Sequence, residues 1–415
     1  MNYMNMEKLG KYCKIISGYA FKSNDLSEGT EIPVIKIGNI SNGNDVIIDS
    51  STQYVSSDFL SIDEKYHIKK GDVLISLTGS HINQPNSMVG RSCRNFSDTE
   101  FLLNQRAGKV IPNENADKNY LYYLLNTESF KYSICNRAYG AANQANVSPS
   151  DIDNIKWNFP PLPTQQKIAS ILSAYDNLIQ NYKKQIEALQ TAASELYKEW
   201  FVRFRFPGWQ NAKFENGIPE GWKVERIGAL YDSTSGGTPS REHEEYFQNG
   251  TYPWIKTGEL KDSPILETEE SITDEAIKHS SAKLFEKDSL IIAMYGATIG
   301  QLGINKMKAT CNQACCVLRP KKDKAFGIYY LFHFFKENRE FIIGLGNGAA
   351  QQNLSQVLIN KLKIVNPNKE IFEIFEEKES MFFEKIYSLQ QQITNLTQQR
   401  DLLLPRLMSG KLEVK

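Results

Sequence analysis

Two stretches of the chain carry apolar residues at a helical period, while the segments before each of them follow a shorter one. Ile179, Tyr182, Ile186, Leu189, Ala193, Leu196 and Trp200 are spaced alternately by three and four, the seam of a coiled coil. Ile386, Leu389, Ile393, Leu396, Arg400, Leu403 and Leu407 repeat that phase at an offset of 207 residues (386 − 179), with Arg400 the one polar position. The spacing predicts two long helices. The first follows Phe159-Pro-Pro-Leu-Pro163, whose prolines forbid a helix interior; Thr164 is its expected N-cap, and Lys167 to Arg203 runs without Gly or Pro up to Pro207-Gly208. The second is expected from Lys369 to Leu404, with Pro405 ending or kinking it. Two such helices pack most simply against each other, antiparallel, as a rod of roughly 60 Å for about 40 residues each.

Ahead of each helix lie short runs rich in Val, Ile and Tyr, punctuated by Gly, Asn and Ser, which read as strands and turns. These runs recur in order. Leu9-Gly10 and Gly18 return as Ile227-Gly228 and Gly236, and Pro33 to Ile40 as Pro253 to Leu260. Val73 to Gly79 returns as Leu290 to Gly296, and Asn104-Gln105 as Asn312-Gln313. Tyr120 to Leu125 returns as Ile328 to His333, and Gly140 to Ser148 as Gly348 to Ser355 with one residue deleted. The chain is therefore an internal duplication. Its expected fold is α+β: two homologous α/β heads, 1–163 and 223–368, a first helix over 164–205, a linker over 206–222, and a second helix with a tail over 369–415. Antiparallel packing of the helices would relate the heads by an approximate two-fold axis, the symmetry with which proteins match two half-sites on a duplex; unlike heads imply unlike half-sites.

Composition narrows the class further. At 415 residues, two or three domains are expected, and 41% hydrophobic with 23% charged residues is ordinary for a globular chain. Lys+Arg and Asp+Glu are equal at 48 each, so affinity for nucleic acid must come from local clusters. The longest apolar-leaning run, Leu290 to Ile304, is broken by three glycines, no secretory leader is visible at Met1 to Tyr12, and six scattered cysteines suit a reducing interior; the expected compartment is the cytoplasm.

Four segments then carry a resemblance: Pro160 to Ile179, Ile218 to Gly228, Ile291 to Gly300, and Leu402 to Leu412. They resemble the specificity subunit of Type I restriction-modification systems, over nearly the whole chain. The resemblance implies that each head is a target recognition domain reading one half of a bipartite DNA site, and that the helices set the spacer and dock partners. Those partners would be two adenine-N6 methyltransferase (modification) subunits binding S-adenosylmethionine, and motor-nuclease (restriction) subunits using ATP and Mg. Thr164 departs from the Glu common in the family, and Asn366-Pro-Asn-Lys-Glu from a run of prolines.

Catalytic patterns are missing from the sequence. Asn158-Phe-Pro-Pro161 has the letters of an amine-holding methyltransferase motif in the wrong order, and no Gly-x-x-x-x-Gly-Lys-Ser/Thr loop occurs. Gly344-Leu-Gly346-Asn-Gly reads as a turn, not a dinucleotide fingerprint. Cys311, Cys315 and Cys316 read as core, because Leu103, Ala107 and Gly108 stand at their counterparts. The five histidines form no motif. A binding subunit with no metal or cofactor of its own is expected; the alternatives are a self-contained adenine-N6 methyltransferase or nuclease, and a coiled-coil scaffold that does not touch DNA.

The duplication sorts the candidate contacts. Shared residues such as Lys36 and Lys256, or Asn104-Gln105 and Asn312-Gln313, should build scaffold or touch phosphates, whereas base readers should lie where the halves diverge. In the first half Ser80-His81-Ile-Asn83-Gln84-Pro-Asn-Ser87 is an insertion rich in amides suited to adenine, followed by Arg91 and Arg94. In the second, Arg241 and His243 lie in an earlier variable loop, and Tyr295, Thr298, Gln301, Asn305, Lys306 and Lys308 follow the shared glycine.

Overall fold

A computed structural model describes all residues except 1–5, 30, 82–83, 85–86, 142–143, 322–326, 346–352 and 415. It divides into two compact units: Met1–Asn181 with Asn395–Lys415, and Tyr182–Thr394. The divisions fall inside the long helices and not at their ends, so each unit holds one head, the near part of the helix that follows it, and a part of the other helix.

In the first unit a four-stranded antiparallel sheet runs Cys13–Ser17, Ala107–Pro112, Val73–Ser76, Ser92–Arg94. A second sheet contains Ile32–Ile35 parallel to Phe101–Leu103. The second unit repeats the plan. Tyr231–Ser235, Cys315–Pro320, Leu290–Ala293 and Leu302–Asn305 stand in the same order, extended by Ser263–Ile265, and Tyr252–Ile255 is parallel to Thr310–Cys311. Each head also pairs a strand at its start with one at its end in a two-stranded ribbon, Met6–Lys8 with Lys156–Asn158 and Lys223–Arg226 with Lys363–Asn366.

The shared landmarks have physical causes. A Cβ added to Gly18 would lie 2.2 Å from the Leu103 carbonyl, and one on Gly236 2.2 Å from that of Cys311, so only glycine lets strand and loop touch there. The backbone amides of Asn104 and Asn312 donate to the Ile35 and Ile255 carbonyls, extending the parallel strand pair of each unit by one bond. Each sheet is faced by a buried helix, Lys118–Asn126 capped by Asp117, and Ile328–Glu337. Glu376, from the long helix, accepts the Tyr330 amide at 2.7 Å and the Tyr329 amide at 3.3 Å, closing the first turn of Ile328–Glu337.

The first long helix spans Leu162–Tyr197 and continues as one π turn over Lys198–Val202; the second spans Lys369–Met408. Thr164 is not the N-cap. Its amide already bonds the Pro161 carbonyl at 2.9 Å, and Pro163 sits in the first turn, where a missing N–H removes no helical bond. Nor does Pro405 end the second helix, which runs three residues further; the carbonyl it deprives belongs to Asp401, an exposed residue. Gly344 and Leu345 likewise close the helix Arg339–Leu345 and are not a turn, while 346–352 lie outside the described residues.

Within each unit the helix segments are antiparallel. In the second, Tyr197, Trp200 and Phe201 surround Phe375, while Ala193 lines a small cavity with Phe383 and Ile386. In the first, Asp176 meets Arg400, and Ile168 and Leu172 share a core with Leu407. Of the seam, Ile179, Ala193, Trp200, Ile386, Leu389 and Leu407 are buried, each such side chain contributing ~1.5–3 kcal/mol where it is large. Tyr182, Ile186, Leu189, Leu196, Ile393, Leu396 and Leu403 are half-buried. Among the described residues no helix is long and apolar enough to cross a membrane.

Candidate nucleic-acid interface

The insertion after the first shared glycine is built on Ser80. This buried hydroxyl bonds the Gln84 carbonyl at 2.7 Å and the Ser87 hydroxyl at 2.8 Å, and the Ser80 and Val89 amides complete the tie. Ser80 is thus the loop's anchor and presents nothing outward. His81 is half-buried and Gln84 exposed; Asn83 lies outside the described residues. Arg91 is half-buried and donates to the Ile37 carbonyl at 3.1 Å.

Arg94, expected beside the insertion as a DNA contact, is turned into the protein. It is 4% exposed, donates to Asp176 at 2.9 Å and Asn119 at 2.7 Å, and lies over the Phe96 and Tyr122 rings. Asp176 also accepts from the Tyr123 hydroxyl at 2.6 Å and from Arg400 at 2.7 Å. The arginine therefore braces the sheet against the long helix. Lys306, also expected as a DNA contact, is likewise held inside: its side chain is 6% exposed and lies between Asp288 at 2.8 Å and Glu384 at 2.7 Å. Asn305 is wholly buried, bonding the Ser289 amide and the Glu286 and Met307 carbonyls.

The remaining candidate cations of the second unit face carboxylates. Lys256 bonds Glu269 and Glu270 at 2.6 and 3.1 Å, and these bonds hold its ammonium above the usual lysine range. Arg241 bonds Glu270 at 2.7 Å and stacks over Phe247 and Trp254. His243 bonds Glu245, and Lys308 bonds Glu286. Tyr295, Thr298 and Gln301 are half-buried, with Gln301 held by backbone bonds to Thr298 and Ala293. In the first unit Lys36 reaches the Gln53 amide, and burial lowers its pKa.

The structure also assembles groups that the sequence rule passed over. The Leu77 amide bonds the Arg106 carbonyl, the Val147 amide bonds that of Leu77, and Thr78–Gly79 pairs with Gln144–Asn146 of the hairpin begun by Tyr139–Ala141. Exposed Gln105, Arg106, Tyr139 and Gln144 therefore share one edge with the insertion, and Arg106 has no ion pair among the described residues. In the two ribbons Lys8 stands opposite Lys156 and Arg226 opposite Lys363, all exposed. Like charges directly opposed destabilise a ribbon, so a pair present in both halves points to an anionic partner. Aligning Lys156 with Lys363 in the repeat would have found it; Tyr139 and Arg106 become visible only through the pairing of distant strands.

Among the described residues no group of three or more His, Cys, Asp or Glu could hold a metal, and all six thiols are buried, with burial pushing those of Cys13, Cys93 and Cys316 up to about 12. One buried titratable pair stands apart: His333 Nε2 and Glu379 lie 2.8 Å apart at 3% and 0% exposure. Burial pushes the histidine down to about 3 and the carboxyl up to about 9, so both are neutral near pH 7.

Two homologous heads, each braced on antiparallel helix segments and each carrying an opposed pair of exposed cations in its ribbon, define a duplicated scaffold. The model of the Type I restriction modification DNA specificity domain matches residues 2–191 and again 219–400, and the chain belongs to that family. It is 29% identical over 323 residues to the specificity subunit of the Type I restriction enzyme MjaIX of Methanocaldococcus jannaschii, covering 76% of this chain and 74% of that one. It is 24% identical over 418 residues to the HindI specificity subunit of Haemophilus influenzae, covering 84% and 88%. The fold is that of the S subunit of a Type I system from M. genitalium, with a TM-score of 0.61 at 16% identity over 98% of this chain and 97% of that one.

Proposed function

We propose that this chain is the DNA sequence-recognition subunit of a Type I restriction-modification complex, each unit reading one half of a bipartite, asymmetric target. One observation carries the reading: the family model matches twice, once on each repeat, and the repeats differ where groups face outward. The polar edge formed by Gln84, Gln105, Arg106, Tyr139 and Gln144 would read the first half-site. Arg241, His243, Tyr295, Thr298 and Gln301 would serve the second, with Lys36, Lys256 and Lys308 nearer the phosphates. The opposed cations Lys8/Lys156 and Arg226/Lys363 would hold the backbone in the same way in both units. Each well-made base contact would add ~1–3 kcal/mol of discrimination. Two modification subunits carrying S-adenosylmethionine, and restriction subunits using ATP and Mg, would supply the chemistry that this subunit directs, in the cytoplasm.

The chain, assembled with its modification subunits, should select from randomised duplexes a pool with two short constant blocks separated by a fixed spacer. Its binding should weaken steeply with salt. Deleting one heptad from each helix should change the spacer length alone. A single block, a palindrome or an unchanged spacer would contradict the proposal.

A further inference from the structure

The two long helices are copies of one another, and that creates an ambiguity of pairing. At the 207-residue offset the apolar seam of the first, Ile179, Ile186, Leu189 and Leu196, is met by Ile386, Ile393, Leu396 and Leu403 of the second. An antiparallel pair made by the first helix with the same helix of a second copy would bury almost the same seam as the pair within one chain. Apolar residues cannot separate these outcomes. A single polar position in such a seam can, by fixing which partners leave a charge satisfied.

The register that sets Arg400 against Asp176 in the first unit sets Ala193 against Phe383 at the repeat, in the second. These two are 0% and 3% exposed and line one small cavity. The substitution extends into the heads. Arg94 stands opposite Val73 in its sheet, and Ile304 opposite Leu290 at the same place in the other; Tyr123 becomes Leu331. Four polar groups joined by bonds of 2.6 to 2.9 Å in one unit are four apolar groups in the other.

We propose that Asp176 and Arg400 form a lock that selects the pairing of the two different helices of one chain and rejects pairing of like helices with a second copy. In a like pair of first helices, Asp176 would face Ala193 and lose one of its two cations. In a like pair of second helices, the Arg400 guanidinium would be set against the Phe383 ring, with no carboxylate from the facing helix and only Asp401 of its own. Only the pairing of unlike helices gives Asp176 its second cation and Arg400 a buried carboxylate on the facing helix. The His333–Glu379 pair, replaced by Leu125 and Leu172 in the first unit, joins a head to the helix segment that follows it; it survives either pairing and carries no choice of partner.

The test moves the arginine. In the full-length double variant Ala193→Arg/Arg400→Ala, like pairing restores an arginine opposite each Asp176 and an alanine opposite each Phe383, whereas pairing within a chain leaves Asp176 with Arg94 as its one cation and sets the new guanidinium against the Phe383 ring. Native mass spectrometry at micromolar concentration, with two copies differing in mass, should show mixed dimers at least tenfold more abundant for this variant than for the wild-type chain. Equal dimer content would overturn the proposal. If circular dichroism shows the double variant unfolded, the decision passes to Arg94→Ile/Tyr123→Leu/Asp176→Phe/Arg400→Ala, which gives the first unit the apolar set of the second. That variant should form mixed dimers more readily than wild type, and mixed dimers no commoner than in wild type would overturn the lock.

Discussion

Replacing Asp176 by alanine removes the acceptor shared by Arg94, Arg400 and Tyr123. The consequences for the three donors differ. Arg400 is partly exposed at 13% and keeps Asp401 at 2.9 Å, so it can turn towards water. Arg94 cannot: it is 4% exposed and retains neutral partners alone, Asn119, the Ser173 hydroxyl at 3.5 Å and the rings of Phe96, Tyr122 and Tyr123. Stranding one partner of a buried ion pair costs ~3–5 kcal/mol, and Asp176→Ala should fall in that range. Arg400→Ala leaves Asp176 with Arg94 and Tyr123 and should lose one charged hydrogen bond, about 1.5–3 kcal/mol. The fourfold replacement by Ile, Leu, Phe and Ala leaves no charge behind and should be more stable than Asp176→Ala, because a packed apolar set replaces the buried ions as it does in the second unit. Hydrogen exchange followed by mass spectrometry reads each helix segment separately. Protection should fall over Leu162–Asn181 and Asn395–Met408 in Asp176→Ala and stay unchanged in the sheet of the second unit. Equal losses for Asp176→Ala and Arg400→Ala, or a fourfold variant less stable than Asp176→Ala, would refute the reasoning.

Three further outcomes are expected. Gly18→Ala and Gly236→Ala each drive a Cβ to 2.2 Å from a carbonyl oxygen, so each should destabilise its own unit by more than the ~1–3 kcal/mol of ordinary overpacking, seen as a lowered denaturation midpoint. Lys156→Ala and Lys363→Ala should each relieve an opposed pair, raising stability by ~0.2–1 kcal/mol in denaturant titrations while weakening DNA binding and reducing its salt slope by about one; a loss of both stability and binding would mean the pair is structural. Because Glu379 is held up at about 9 and buried Glu376 at about 8, against ordinary values near 4.5, the folded second unit keeps protons that the unfolded chain releases. Its stability should therefore fall as pH rises from about 4.5 to 9. His333, held down at about 3, adds an opposite limb, losing stability as pH falls below about 6.5. Glu379→Gln should make the alkaline limb shallower, leaving the share due to Glu376, and keep the acid one, measured by urea unfolding from about pH 4 to 9.

Much of the architecture was legible because its signals are local and written twice. The heptad seams gave both helices, and the recurrence of Gly18 as Gly236 marks a contact that admits no side chain. Helix ends were less legible, since proline tolerance depends on the turn: Pro163 sits harmlessly in a first turn, and Pro405 in a last one beside an exposed residue. The site was legible only in outline. Sequence marks Arg94 and Lys306 as cations in divergent segments, but burial decides their role, and burial comes from Asp176 and Glu384, 82 and 78 residues away along the chain. Arg106 and Tyr139 were missed for the converse reason, their common edge being made by strands distant in sequence.

The central claim is that two related but unlike units each specify one half of a target. Its most direct test is to map methylated adenines in cells carrying the modification subunits with this chain, and again with residues 1–150 exchanged for those of a family relative. The account predicts a bipartite motif in which one half changes while the other half and the spacer stay the same. A change in both halves, or in neither, would contradict it.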